Sequence, residues 1–227
     1  MKKIFRILLL SLAVGICFLA IEMYLKKPNV HAELVSQISE SIQIEEYNNV
    51  ENLKQNGKLD LVRTSAVPLF VQTDDEWKDL PYGTDGTKDM GENGCALAVL
   101  AMVGNYHGYG STPKTLLEWA QEDYYVDGAG TSWDIFADYA ALHDFNFLNL
   151  GNNMQGAIEQ LEQGHLVVVS VKKSQFTEVG HIMLLTGYEN GQFSLNDPND
   201  DDTKLHNYKW MEASTIEEAS VNYWSYY

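Results

Sequence analysis

Cys95 is one of two cysteines in the chain, and the other, Cys17, lies inside an apolar run near the N-terminus. Cys95 opens the segment CALAVLAMVGNY, directly behind the polar turn GENG. A thiol at the first turn of a helix meets unpaired backbone N–H groups and the positive end of the helix dipole, which favours the nucleophilic thiolate. Gly94 before it allows the backbone a sharp turn and a close approach. A thiolate that attacks a carbonyl needs a partner to protonate the leaving group, and imidazole is the usual one.

Six histidines compete for that role. His31 lies in a polar segment near the N-terminus, and His206 in a polar tail. His107 ends the helix that Cys95 begins, roughly three turns away and out of reach. His143 and His165 sit at element ends, where packing or surface roles are the plain reading. His181 differs: in VGHIMLLTGY it opens an apolar strand just after Gly180, where a strand end projects into a cleft.

The imidazole needs an orienting acceptor, and NDP offers Asp197 at the end of the next strand. Register decides whether the two meet. A two-residue turn at Asn190-Gly191 sets Asp197 opposite Leu184, on the face away from His181. A three-residue loop over Glu189-Asn190-Gly191, or an equivalent bulge, sets it opposite Met183 and diagonal to His181. Asn196 then points to the other face. The negative oxygen formed during attack needs donors: the Cys95 backbone amide is one, and the Gln72 side-chain amide is a second candidate. Spacing alone leaves Gln72 free to be a surface residue instead.

The elements that must position these groups are readable. VPLFVQ is a short extended run, and DEWKDLPYGTDGTKDMGENG a loop rich in Gly and Asp. The Cys95 helix is apolar on all faces, as a helix buried inside a domain must be. STPKTLLEWAQE predicts a helix with Thr112 as cap and Pro113 in its first turn, and TSWDIFADYAALHD one with Ser132 as cap. NNMQGAIEQLEQG predicts a third, stopped by Gly164. Strand patterns follow in HLVVVSVKK, HIMLLTGY and QFSLND. The aromatic end VNYWSYY reads as a closing strand on the sheet rather than a carbohydrate-binding surface, and Trp77, Trp119 and Trp133 as core residues. Helices first and a mostly antiparallel sheet second make an α+β domain with one helix buried against the sheet.

Four segments, VQTDDEWKDLPYG, GENGCALAVLAMV, TPKTLLEW and GHIMLLTGYENGQFSLNDP, resemble the peptidases that process bacteriocins at double-glycine leaders, in their stand-alone C39-like branch. The resemblance runs from about Pro68 to Pro198. It implies a papain-like cysteine peptidase fold, with Cys95 as nucleophile, His181 as base and acid, Asp197 as orienter and Gln72 as oxyanion donor. It implies a peptide or protein substrate and no cofactor. Many relatives carry glycine after the cysteine, where this chain has Ala96. No GxxxxGKS/T phosphate-binding segment is present, which separates the chain from export-coupled transporter forms.

The formal net charge is −17, and from Ala66 onward 25 acidic residues face 7 lysines and no arginine. That balance argues against nucleic acid or anionic lipid as partners of the domain and fits a solvated acidic surface. NDPNDDD could offer calcium Asp197, Asn199 and Asp201, but it lacks the glycine and distal glutamate of an EF-hand loop. No histidine pair has zinc spacing, so no metal is expected.

Lys2, Lys3 and Arg6 precede the charge-free run Ile7 to Ile21, the layout of a secretory signal or a membrane anchor with its basic end inside. VHA, ending at Ala32, offers a cleavage pattern; the lysines at 26 and 27 favour an uncleaved anchor. A lipoprotein role for Cys17 fits less well, because bulky Ile16 precedes it. The organisation expected is an anchor over 1–32, a polar stalk over 33–65 and a peptidase domain over 66–227. An exported thiol with no disulfide partner must be buried or useful, and such a domain fits the outer face of a Gram-positive membrane. The functional expectation is cysteine peptidase activity. Alternatives are an inactive extracellular binding module of the same fold, or a cell-wall peptide amidase or acyl transferase.

Overall fold

Strand β4 shows how the sheet is buried. In LVVVSV (Leu166–Val171) every side chain is buried. Leu166 and Val168 join one apolar cluster, whereas Val167, Val169 and Val171 join a second. The two-residue side-chain period therefore feeds two cores, one on each face, and explains why the run is apolar without alternation. The structure, a computed structural model, describes residues 63–84 and 86–227. The anchor expected over 1–32 and the stalk, up to residue 62, lie outside the described residues. Among the described residues no helix is long and apolar enough to cross a membrane.

A small hairpin of β1 (Tyr125–Val126) and β2 (Gly130–Thr131) stands apart from the main sheet. The main sheet holds β3 (Phe147–Gly151), β4, β5 (His181–Glu189), β6 (Gln192–Asn196), β7 (Met211–Glu212) and β8 (Ser220–Tyr226). Its order is β3-β8-β4-β5-β6-β7, with every neighbouring pair antiparallel. The aromatic C-terminal run is thus a strand, and it sits inside the sheet between β3 and β4 with Tyr223, Trp224 and Tyr226 buried.

Six helices are described: α1 (Met90–Asn93), α2 (Cys95–Tyr106), α3 (Pro113–Ala120), α4 (Asp134–Leu142), α5 (Met154–Glu162) and α6 (Ala213–Ala219). Residues of α2, α3 and α4 share the first core with Val168, Ile182 and Leu184. Residues of α5 and α6 share the second with Val169, Met183 and Leu185. The fold is α+β, as expected, but the second helical layer goes beyond the single buried helix that the sequence suggests.

Helix α2 is buried from Ala96 through Gly104 because protein surrounds it on every side. Each fully buried Leu, Val or Met along it contributes about 1.5–3 kcal/mol relative to exposure. Gly104 is required by close approach: a Cβ there would lie 2.0 Å from Tyr139 Oη and 2.4 Å from Ser111 Oγ. Those two hydroxyls are hydrogen-bonded to each other at 3.0 Å.

The caps mostly follow the sequence. Thr112 and Thr115 form a reciprocal capping box with Pro113 behind it. Helix α4 starts one residue later than expected, with Trp133 rather than Ser132 in the cap position. Trp133 is also not a core residue, being 44% exposed. VPLFVQ forms no strand. Its carbonyls at Val67 and Pro68 accept instead from the Asn196 side chain, at 3.2 and 3.0 Å, so an amide replaces a partner strand.

Candidate active site

Cys95 is the first residue of α2, half-buried, with a free thiol. The break between α1 and α2 falls on Gly94, whose Cβ, if it had one, would lie 2.4 Å from the Met90 carbonyl oxygen. Only glycine lets the chain turn this tightly before the cysteine. Ala96, the departure from the glycine common in relatives, is buried as the second residue of α2 and leaves Cys95 at the helix start.

His181 opens β5, and its side chain is bonded to Asp197 just past the end of β6: Nε2 lies 2.7 Å from Oδ1. The pair is buried, His181 at 5% and Asp197 at 0% exposure. Burial opposes the charged imidazolium. The hydrogen bond to Asp197 and the nearby Cys95 sulfur outweigh it and push His181 up to about 9. With Nε2 occupied by the carboxylate, the ring nitrogen left for sulfur is Nδ1. Asp197 moves the opposite way. Although burial would raise its carboxyl, bonds from His181 and His206 hold it well below the usual carboxylate range.

The register that allows this pair is the expected one, with Asp197 level with Met183, and it is reached by the bulge rather than by the three-residue loop. The β5–β6 connection is a two-residue turn, Asn190-Gly191, with φ of 52° and 81°. These angles suit a type I′ hairpin. Phase is corrected inside the ladder instead. Pairing runs Gly187↔Ser194 and then Leu185↔Leu195, which leaves Thr186 as an unpaired extra residue. This bulge advances β6 by one position, so that Leu184 faces Asn196 and Asp197 comes level with Met183. The three-residue loop is absent, and the bulge takes over its role.

Gln72 is buried and ties two regions together. Its backbone N–H donates to the Pro198 carbonyl at 2.7 Å, next to Asp197. Its side-chain Nε2 donates to the Gly91 carbonyl at 2.6 Å and, at a long 3.4 Å, to that of Glu92, close before Cys95. Gln72 is therefore no surface residue. Its Oε1 is buried without a hydrogen-bond partner.

His206 is the residue that sequence reasoning missed. It belongs to no polar tail: it starts a 3-10 helix, His206–Tyr208, and is 4% exposed. Its Nδ1 lies 2.7 Å from Asp197 Oδ2, so one carboxylate stands between two imidazoles. No periodicity in DDDTKLHNY announces this. His107 and His143 instead pack among Tyr106, Tyr109 and Phe145, and His165 stacks on Tyr227.

Asp197, Asp200 and His206 bring one ligand-type atom each within 4.8 Å of one another. Their carboxylates are committed to the loop itself. Asp197 accepts from His181, His206 and the Asn199 N–H, and Asp200 accepts from the backbone N–H groups of His206 and Asn207. Asp201, the other acid of the calcium reading, accepts from the Thr203 and Lys204 N–H groups.

A helix-borne thiol facing a sheet-borne imidazole, with helices and an antiparallel sheet behind them, is the α+β papain-like arrangement. Residues 64–227 match the Peptidase_C39 like family, and the chain belongs to it. Membership points to cysteine peptidase chemistry on peptide substrates. Among solved structures, one described as a C39-like peptidase from Bacillus anthracis aligns with a TM-score of 0.52 at 17% identity, covering 74% of this chain and 98% of that one. The peptidase domain of Streptococcus ComA, a bifunctional ABC transporter involved in a quorum-sensing pathway, aligns with a TM-score of 0.47 at 19% identity, covering 59% and 90%. The first of these likenesses concerns the fold. No curated protein matches the chain.

Proposed function

We propose that this protein is a cysteine peptidase that hydrolyses peptide bonds through Cys95, His181 and Asp197, with Gln72 as an oxyanion donor. The observation that carries the reading is the buried His181–Asp197 pair, bonded at 2.7 Å, with the Cys95 sulfur near enough to favour the protonated ring.

Attack requires a Cys95 thiolate beside a protonated His181 at the start of α2. The sulfur attacks the scissile carbonyl carbon, and the carbonyl oxygen takes up the negative charge. The Cys95 backbone N–H donates to it. Gln72 donates one amide hydrogen to the Gly91 carbonyl at 2.6 Å, and the second, held only weakly by the Glu92 carbonyl at 3.4 Å, is the one left to serve the oxyanion. His181 Nδ1–H gives its proton to the departing amine, the C–N bond breaks and a thioester remains. Water, deprotonated by the now neutral His181, attacks the thioester and returns the thiolate. Asp197 holds the ring through Nε2 and balances its charge throughout.

The test pairs chemistry with cleavage. Iodoacetamide at pH 6 is expected to label Cys95 faster than a free thiol, and His181→Ala to remove that advantage. Wild type is expected to cut denatured casein or a peptide library, and Cys95→Ala to leave it intact. Slow, equal labelling of both proteins together with no Cys95-dependent fragments overturns the reading.

A further inference from the structure

The carboxylate between the two histidines is held far more completely than one imidazole partner requires. The torsion that turns a carboxylate about its last bond is broad, so a lone bond to His181 would let Asp197 rock. Here both oxygens are gripped. Oδ1 accepts from His181 Nε2 at 2.7 Å and from the Asn199 N–H at 2.8 Å, while Oδ2 accepts from His206 Nδ1 at 2.7 Å. An ionised carboxylate only accepts, so His206 must carry its proton on Nδ1.

The chain is shaped to deliver that donor. Leu205 adopts a left-handed conformation, φ 56°, unusual for a branched apolar residue, and reverses the backbone just before His206. The Asp200 carboxylate then receives the His206 and Asn207 backbone N–H groups at 2.9 and 2.8 Å. Asn207 pairs with the main chain of Asp197 on both sides: its Oδ1 accepts the Asp197 N–H at 2.6 Å, and its Nδ2 donates to the Asp197 carbonyl at 3.2 Å. Neighbouring residues therefore fix the side chain and the backbone of the same aspartate. Phe176 packs against the His206 ring, with centroids 5.0 Å apart, and Asp200 Oδ1 is the other charged atom near its Nδ1, at 4.0 Å.

Resting on the peptidase reading above, we propose that His206 is a positioning residue: its Nδ1–H pins the second oxygen of Asp197, so that the first stays aimed at His181. Its side-chain hydrogen bond goes to Asp197. Its effect passes through Asp197 to the orientation and basicity of the His181 ring.

The experiment compares His206→Ala, His206→Phe and His206→Asn in the full chain. Phenylalanine fills the space without a donor; asparagine returns an N–H near the position of Nδ1. On a cleaved peptide, the alanine and phenylalanine variants are expected to lose about tenfold in kcat with little change in KM, and asparagine to recover most of it. The His181 ring, followed by NMR titration, is expected to titrate at lower pH in the first two variants and near wild type in the third. An unchanged His181 midpoint and kcat in the phenylalanine variant overturns the proposal, as does an asparagine variant as impaired as phenylalanine. If the alanine variant fails to fold, the phenylalanine–asparagine pair carries the same comparison. Because the titration needs no turnover, a wild type that cuts nothing defeats the peptidase reading alone, whereas an unmoved midpoint defeats the role of His206 alone.

Discussion

The two halves of the candidate site are held by different physics. Cys95 rides on α2, a helix fixed by apolar packing, with Ala96 to Gly104 buried and Gly104 pressed against Ser111 and Tyr139. His181 and Asp197 are held by directional bonds, in a network that takes in Asn199, His206 and Asn207. Packing sets where a rigid body lies, and hydrogen bonds set how a ring or carboxylate is turned. A nucleophile needs the first most, a proton carrier the second. Damage to the helix half should therefore appear as lost stability, and damage to the loop half as lost chemistry.

The largest effect tests the loop half. Asp197→Asn keeps the shape but must present an N–H to one of the two histidine donors. It is expected to lower kcat/KM by on the order of 10²–10⁴ while far-UV circular dichroism is unchanged. Intact activity in that variant would show that the network only supports the fold.

The pH dependence comes next. His181, raised to about 9, keeps its proton, and with it the role of general acid, up to that pH and loses it above. Peptide hydrolysis should therefore fall by about tenfold per pH unit above about 9. Iodoacetamide labelling, which needs only the thiolate, should not fall with it. Parallel loss of both would mean that the alkaline limb reports unfolding.

The smallest effect on chemistry belongs to the helix half. Gly104→Ala forces a methyl group into the Ser111–Tyr139 contact and should cost about 1–3 kcal/mol, read as a lower Tm. Per folded molecule, kcat/KM and the alkaline limb should match wild type. A shifted limb would mean that packing and the polar network are coupled.

What the sequence makes legible follows the same division. A cysteine at the head of an all-apolar helix announces both the helix and the nucleophile, because periodicity and end position are local properties. Asn190-Gly191 marks where the chain reverses for the same reason, though not whether the loop has two residues or three. The bulge at Thr186 is not announced. It depends on contacts across the ladder, with Thr186 Oγ1 lying 3.0 Å from Ser194 Oγ, and on Gly187, where a Cβ would approach Ser194 Oγ to 2.9 Å. His206 was hidden for a related reason. What buries it is a left-handed Leu205 and an acid six residues earlier that takes its N–H, neither of which leaves a periodic trace. The extended run before Gln72 is legible as such, but not the partner of its carbonyls: those of Val67 and Pro68 accept from the Asn196 side chain.

The complete enclosure of Asp197 also separates the site from the ionic conditions around the protein. The chain carries a net charge of −17, and dissolved ions damp the field of exposed charges within about 8–10 Å. The carboxylate paired with His181 has no surface of its own for counterions to reach. Brine and dilute buffer, which alter how the molecule attracts or repels its neighbours, leave that inner balance of charge nearly the same.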